Sequence, residues 1–485
     1  MLHIDGDRSV RLQTESMGNV VLVEGDRPVQ FQNSTFNNVA GSLNVSHTTN
    51  IGETSLDILF RAVSPDAMHD SAERPSLHSS CHPGTRVAIL DQLDKWSSEQ
   101  PSDSRILWLH GCAGIGKSAI AQKFAASCHD RRQLGGSFFF KRGSASRGNW
   151  KSVLPTLAYQ LTVAFPQLGP IIQRSLDTDR LVPGKAMHYQ LEKLIIQPFR
   201  HAPAFKHRPI LVLDGLDECE DRSTQTMLIR VLIDILRSGD APLHILVCSR
   251  SEPHLREVLE APENSDVCQG LKIQPDKSAY ADIRQYLMDE FSRIHKIHTA
   301  RGIQLEGNWP AENVIQHLLE TSSGTFIYAS TVVRYVDDEY SHPAERLDAV
   351  LSLDPGSLTP LDDLYIQILS AIPNKPTLLR VLHAIVNTRG LDPEVIDSIF
   401  QMRLGTSRAI LRGLNALVHV QQKTIRTTLT GNLPVQWLHA SFGDFLVDPH
   451  RSSSFCVSGE DPQSTLVHDI VRSLSSGSLE PYHFR

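Results

Sequence analysis

Residues 111–118 read GCAGIGKS, and this stretch constrains the chain more than any other. It fits the pattern G-x-x-x-x-G-K-[ST], in which each position has a physical reason. Gly111 and Gly116 let the backbone take conformations that a side chain would block. The loop's N–H groups can then converge on phosphate oxygens, and the helix that follows adds its positive N-terminal end. Lys117 is expected to reach the β- and γ-phosphates, and Ser118 to set its hydroxyl on Mg²⁺. A glycine-rich turn before any helix is the plainer reading. The apolar ILWL at 106–109 and the helix-forming AIAQKFAA at 119–126 argue against it, because they supply the strand–loop–helix context. The candidate nucleotide contacts are therefore Gly111, Cys112, Ala113, Gly114, Ile115, Gly116, Lys117, Ser118 and Ala119, with a nucleoside tri- or diphosphate and Mg²⁺ as the ligands; the loop itself does not distinguish ATP from GTP.

A phosphate loop needs a carboxylate for its metal at the end of a neighbouring strand, and ILVLDGLDE (210–218) offers one. Asp214 ends the apolar run and is the magnesium candidate, acting through water. Asp217 and Glu218 follow, and either is suited to orient or deprotonate an attacking water. Gly215 holds the position directly after Asp214 where many ATPases carry a catalytic Glu. The base is thus displaced, and the choice between Asp217 and Glu218 stays open. A solvated acidic loop is the rival reading, encouraged by the run DECED at 217–221. Next comes LHILVCSR (243–250), which places Arg250 at a strand end. A cation there can sense a γ-phosphate and stabilise developing charge, although a strand-end arginine is more often a surface residue. Lys117, Asp217, Glu218 and Arg250 form the candidate catalytic set, with Ser118 and Asp214 on the metal.

Further short apolar runs at Ser137–Phe140, Leu243–Cys248 and Val267–Ile273 alternate with helical periodicity at Val153–Phe165, Tyr189–Phe199 and Thr226–Leu236. That alternation predicts an α/β fold: a P-loop NTPase with a parallel β-sheet flanked by helices. Residues 1–50 read as a short β-rich or disordered arm and 51–100 as a helical linker, with one helix over 54–72 and another from Val87. The nucleotide-binding region spans 101–275, a helical region 276–370, a winged-helix-like region 371–460 and a tail 461–485. His295 and His298 read as surface residues.

Net charge is −7 and 40% of the 485 residues are hydrophobic. A mildly acidic chain has no general electrostatic reason to seek nucleic acid. The seven cysteines are odd in number, widely spaced and free of C-x-x-C, which fits a reducing compartment. No apolar run spans a bilayer and the N-terminus lacks a signal-peptide core, so a cytoplasmic location is expected.

Taken with the stretches FNNVAGSLNV (36–45), HDSAERPSLHSSCHPGTR (69–86), SFFFKRG (137–143), LPTLAYQL (154–161), SRSEPHLRE (249–257), SGTFIYASTVVRY (323–335) and WLHASFGDFL (437–446), these motifs resemble the NACHT family of signal-transduction ATPases with numerous domains. The likeness is greatest to fungal NOD-like receptor proteins with a nephrocystin-3-like nucleotide-binding region. DGLDE is that family's variant of the magnesium motif. The resemblance implies a nucleotide domain, a helical domain and a winged-helix domain, and matches His439 to the winged-helix histidine that contacts the ADP β-phosphate. A lone histidine on an apolar strand is otherwise a packed residue. The resemblance also implies a slow ATPase working as a switch: ADP holds the winged helix closed, and ATP releases it for homo-oligomerisation. Such proteins generally carry C-terminal sensor repeats, and none is visible here, so truncation or a separate sensor or effector protein is expected. A metabolic P-loop kinase and a non-hydrolysing, nucleotide-bound scaffold are the competing readings.

Overall fold

The computed structural model describes residues 54–72, 80–98, 104–354, 357–388, 391–420 and 435–458 in full, and the backbone of five strands between Arg11 and His47. The expected tail at 461–485 lies outside the described residues.

The chain divides into two compact units, Met1–Ile58 and Leu59–Arg485. In the first, β1 (Arg11–Glu15), β2 (Asn19–Glu24) and β3 (Arg27–Phe31) form an antiparallel meander, and β4 (Ser34–Val39) pairs with β5 (Ser42–His47) as a hairpin.

The second unit is built on a parallel sheet. Its strands are β6 (Ile106–His110), β7 (Leu134–Phe139), β8 (Ile210–Asp214), β9 (His244–Ser249) and β10 (Cys268–Lys272), in spatial order β10-β6-β9-β8-β7. The inner strands are apolar except at their ends, because helices cover both faces. Side chains alternate between the faces. Trp108, Leu213 and Val247 enter one core with Leu157, Leu194 and Leu232. Leu109, Val212 and Leu246 enter the other with Phe124, Leu93 and Trp96. Burying each such large side chain contributes about 1.5–3 kcal/mol, so the sheet is a firm platform for the loops at its edge.

After β10 the chain is helical. Asp276 accepts from the Ala279 N–H (2.8 Å) and so starts the long helix Lys277–Ala300. Helices Glu312–Thr321, Phe326–Val336, Pro343–Leu351 and Pro360–Ser370 follow. Three more, Lys375–Asn387, Pro393–Ile399 and Thr406–Arg412, lead into an antiparallel pair, β11 (Val418–Val420) with β12 (Val435–Trp437). This is the element order of a winged helix. Helix Ala440–Val447 comes directly after it. One apolar core runs from Ile283 to Val457, and it shares no residue with the two cores of the sheet.

Three expectations need correction. The helix over 54–72 is only Ser55–Arg61, followed by a single 3₁₀ turn at Pro65–Ala67. Proline after Ser64 disfavours helical backbone there, and the Ser64 N–H and hydroxyl instead bond Thr156 and the Ser146 carbonyl. His298 is not a surface residue. It is fully buried, 3.6 Å from Asp337. The strand that carries Asp214 is not the immediate neighbour of the phosphate-loop strand either, since β9 lies between them. Among the described residues no helix is long and apolar enough to cross a membrane.

Candidate functional site

The C-terminal edge of a parallel sheet is where loops can gather polar groups without breaking the ladder. Here the loop 111–116 leaves β6 and turns into helix Lys117–Asp130. Gly116 caps that helix at φ 102°, a left-handed conformation that needs glycine. Gly114, also at positive φ, allows a close approach: a Cβ there would lie 2.1 Å from the Ile327 side chain. The Ile327 N–H donates to the Gly114 carbonyl at 3.1 Å. The loop is thus pinned from the helical region as well as from its own strand.

Beside it opens a cavity of about 670 Å³, within the usual range for a small-molecule site. Ala113, Gly114, Gly116, Lys117, Ser118, Ala119, Asp214, Asp217, Glu218, Arg250 and His439 all line it. Gly111, Cys112 and Ile115 do not. Ile115 is buried in the sheet core instead, and Cys112 is exposed. The Lys117 ammonium donates to the Gly111 and Cys112 carbonyls, both at 2.9 Å. Burial lowers its pKa, opposed by the charges of Asp217 and Asp214.

The two acids that sequence left as alternatives differ in their bonding. Asp217 accepts the Arg250 backbone N–H (2.9 Å) on one oxygen and pairs with Arg250 Nε (3.2 Å) on the other. Glu218 accepts, among the described residues, only the Arg142 backbone N–H, at 3.2 Å. Its carboxyl is pushed up to about 7 by burial, and next by the neighbouring charge of Asp217. Burial acts to lower the Arg250 pKa, but the hydrogen bond and charge of Asp444, with the charges of Asp217 and Glu218, leave it raised.

His439 is the N-cap of helix Ala440–Val447, and its Nδ1 accepts from the Ser441 N–H at 3.1 Å. Because Nδ1 already accepts that bond, the Ser441 hydroxyl donates to it as well (2.6 Å), and Tyr365 donates to the hydroxyl in turn (2.8 Å). The neutral ring therefore carries its proton on Nε2. Burial, then the charges of Arg250 and Lys117, hold its pKa down to about 4.

Four further residues at this site escaped the sequence reading. Arg86 has φ 59° and is 4% exposed. Its guanidinium donates to the Ile115 carbonyl (2.7 Å) and lies 4.9 Å above the Phe326 ring, while its backbone N–H bonds Asp282 (3.0 Å). Arg334 and Phe326, two turns apart on helix Phe326–Val336, both line the cavity. Asp444 grips two arginines of the opposite wall, Arg142 at 3.0 Å and Arg250 at 2.8 Å. All lie inside stretches that the family resemblance rests on. The available signal was spacing: Asp444 falls about one helical turn beyond the His439 cap, and Phe326, Ser330 and Arg334 repeat every four residues along one helix face.

A parallel sheet, a phosphate loop and strand-end acids define a P-loop NTPase fold, followed by helical and winged-helix-like regions. Residues 84–250 match the family described as Nephrocystin 3, N-terminal. The match starts just before Arg86 and ends on Arg250, so it covers the sheet side of the cavity and not the C-terminal side. No curated protein matches the chain by sequence. Solved structures with a related layout include Cdc6p from Pyrobaculum aerophilum, at 13% identity over 83% of this chain and 97% of that one, TM-score 0.35. Drosophila ORC bound to DNA aligns at 13% identity over 77% and 95%, TM-score 0.35. AMPPCP-bound DnaA from Aquifex aeolicus aligns at 12% over 73% and 91%, TM-score 0.31. Likeness of that degree carries no functional inference.

Proposed function

We propose that this chain is a nucleotide-controlled switch that binds ATP or ADP with Mg²⁺ in the cavity, hydrolyses ATP slowly, and opens to self-associate. The observation that carries the reading is that one cavity is lined by the phosphate loop and by His439, more than 300 residues later, while the apolar cores on its two sides stay separate. Parting the two sides breaks polar links and leaves both cores whole. Those links include Lys141 to Gln436 (2.7 Å), the two arginines on Asp444, the Ile327 N–H on the Gly114 carbonyl (3.1 Å) and the Arg86 N–H on Asp282 (3.0 Å). Partly exposed ion pairs are worth about 0–1 kcal/mol each. The two ion pairs on Asp444 together are comparable with the roughly 1–3 kcal/mol by which a ligand commonly biases two states. The resemblance to NACHT proteins supports the same conclusion.

In this reading the loop N–H groups and Lys117 hold the phosphates. Ser118 and Asp214 hold magnesium, an ion that takes one or two protein oxygens together with phosphate and water. Asp217 is engaged by Arg250, so Glu218 is the better base, and its carboxyl, poised at about 7, matches that task near neutral pH. His439 Nε2–H donates to the β-phosphate and holds the closed form.

The test is to purify the full chain, identify the nucleotide that accompanies it, and measure its mass with ADP and then with a non-hydrolysable ATP analogue. A monomer with ADP and a larger species with the analogue is the expected result. Turnover in the metabolic range of about 1–10³ s⁻¹ without an activator, with no change of mass, would point to a P-loop enzyme instead.

A further inference from the structure

Asp444 belongs to the same short helix that His439 caps, yet it faces the sheet wall. One carboxylate oxygen accepts from Arg142 Nη1 and the other from Arg250 Nη2, at 3.0 and 2.8 Å. Arg250 is itself a cavity residue, and its Nε is directed to Asp217 at 3.2 Å. A guanidinium offers its N–H donors in one rigid plane. Two of those donors already hold carboxylates, Nε on Asp217 and Nη2 on Asp444, so re-aiming the plane at a new anion disturbs both bonds.

We infer that Asp444 sets the preference of this site for a nucleoside diphosphate over a triphosphate, by competing with the terminal phosphate for Arg250. The inference rests on the nucleotide reading above. A diphosphate seated on the loop leaves the Arg250–Asp444 bridge intact. A third phosphate brings more negative charge toward a wall where Asp217 and Asp444 already hold Arg250 and Asp444 also holds Arg142. Burial, and next the charge of Asp217, push the Glu218 carboxyl up to about 7. Re-aiming Arg250 at the new charge loosens its bond to Asp444, and the released carboxylate then stands beside the phosphate as a like charge. Because Asp444 and His439 share one helix, releasing the first carries the second away from the β-phosphate. The terminal phosphate thus acts on the wall through one side chain. By linkage the closed wall disfavours triphosphate by the same factor as triphosphate disfavours closure.

The experiment is a comparison of dissociation constants for ADP and for a non-hydrolysable ATP analogue, both with Mg²⁺, in the full chain and in Asp444→Asn, Asp444→Glu and Lys117→Ala. Asp444→Asn is expected to raise the affinity for the analogue relative to ADP by about tenfold. Asp444→Glu, which keeps the charge, should hold the ratio near that of the parent. A ratio unchanged in Asp444→Asn overturns the inference, even if both affinities fall together, since that marks a merely structural residue. Should Asp444→Asn fail to fold, Asp444→Ser supplies the same ratio. Lys117→Ala separates the two levels: if it binds both nucleotides as the parent does, the nucleotide reading itself fails and the inference falls with it.

Discussion

The two walls of the cavity hold their polar groups by different means. On the sheet wall, Asp214 ends β8 and Arg250 directly follows β9 in a parallel ladder where Asp214 stands opposite Cys248 and His110 opposite Ser249, and Lys117 follows β6 across the phosphate loop. Backbone hydrogen bonds fix their separations. On the C-terminal wall, His439 is aimed by a chain of side chains through Ser441 and Tyr365. It is backed by ring contacts of Phe442 with Tyr365 at 5.1 Å and with Trp437 at 5.3 Å. A ladder has one register, whereas a side-chain relay bridging separate helices has a geometry that can be lost and regained. The first suits the groups that bind phosphate and do chemistry, and the second suits a contact that must come and go.

Substitutions should separate the walls by kind of effect. The largest change is expected from Glu218→Gln. It should lower ATP turnover by about 10²–10⁴-fold while nucleotide still binds, as a phosphate-release assay beside a binding titration would show. Asp217→Asn should cost less in turnover, since that carboxylate serves Arg250. If Asp217→Asn proves the more damaging, the assignment of the base is reversed. Next is Lys117→Ala. Removing a charge-assisted donor is worth about 1.5–3 kcal/mol, or roughly 10–150-fold weaker binding of ADP and ATP alike by calorimetry.

The sheet wall was the legible one, for a reason the structure makes plain. Its chemistry sits at fixed offsets from short buried strands, so ILWLHGCAGIGKS and ILVLDGLDE carry both the element and the group it presents. What those strings did not carry was spatial order: β9 separates β6 from β8, and no local pattern states which strands are neighbours. The other wall is assembled from tertiary contacts. His439 could be named only through family likeness. Arg86, buried against Ile115 and Phe326, has no local sign that a side chain 240 residues later will lie beneath it. The helix expected over 54–72 failed for a similar reason, since its periodicity is real but Ser64 and His69 are bonded to Thr156 and Ser137.

A smaller effect is expected at the relay. His439→Ala removes a neutral donor to a phosphate, worth about 1.5 kcal/mol. ADP should bind about tenfold more weakly, with the ATP analogue affected much less. Equal losses for both nucleotides would show that His439 belongs with the rigid wall.

The smallest effect is a pH dependence in which the walls oppose each other. His439 is held down to about 4 by burial and the charges of Arg250 and Lys117, below its unfolded value near 6.5. As pH falls from about 6.5 toward 4 the unfolded chain takes up that proton first, so the fold loses stability at up to about 1.4 kcal/mol per unit. His244, buried at the start of β9 and also lowered to about 4 by burial, adds to the loss. Glu218 has the reverse sign. Raised to about 7 from 4.5 by burial and then by Asp217, it takes up its proton in the folded state first, and the fold gains as pH falls from 7 toward 4.5. Between pH 6.5 and 4.5 these terms partly cancel. Thermal melts across that window should therefore steepen on the acid side for Glu218→Gln and flatten for His439→Asn. If His439→Asn keeps the parent slope while His244→Asn flattens it, the neutral buried histidine that matters to the fold lies in the sheet, and the relay on the C-terminal wall is open enough to water for His439 to titrate as it does in the unfolded chain.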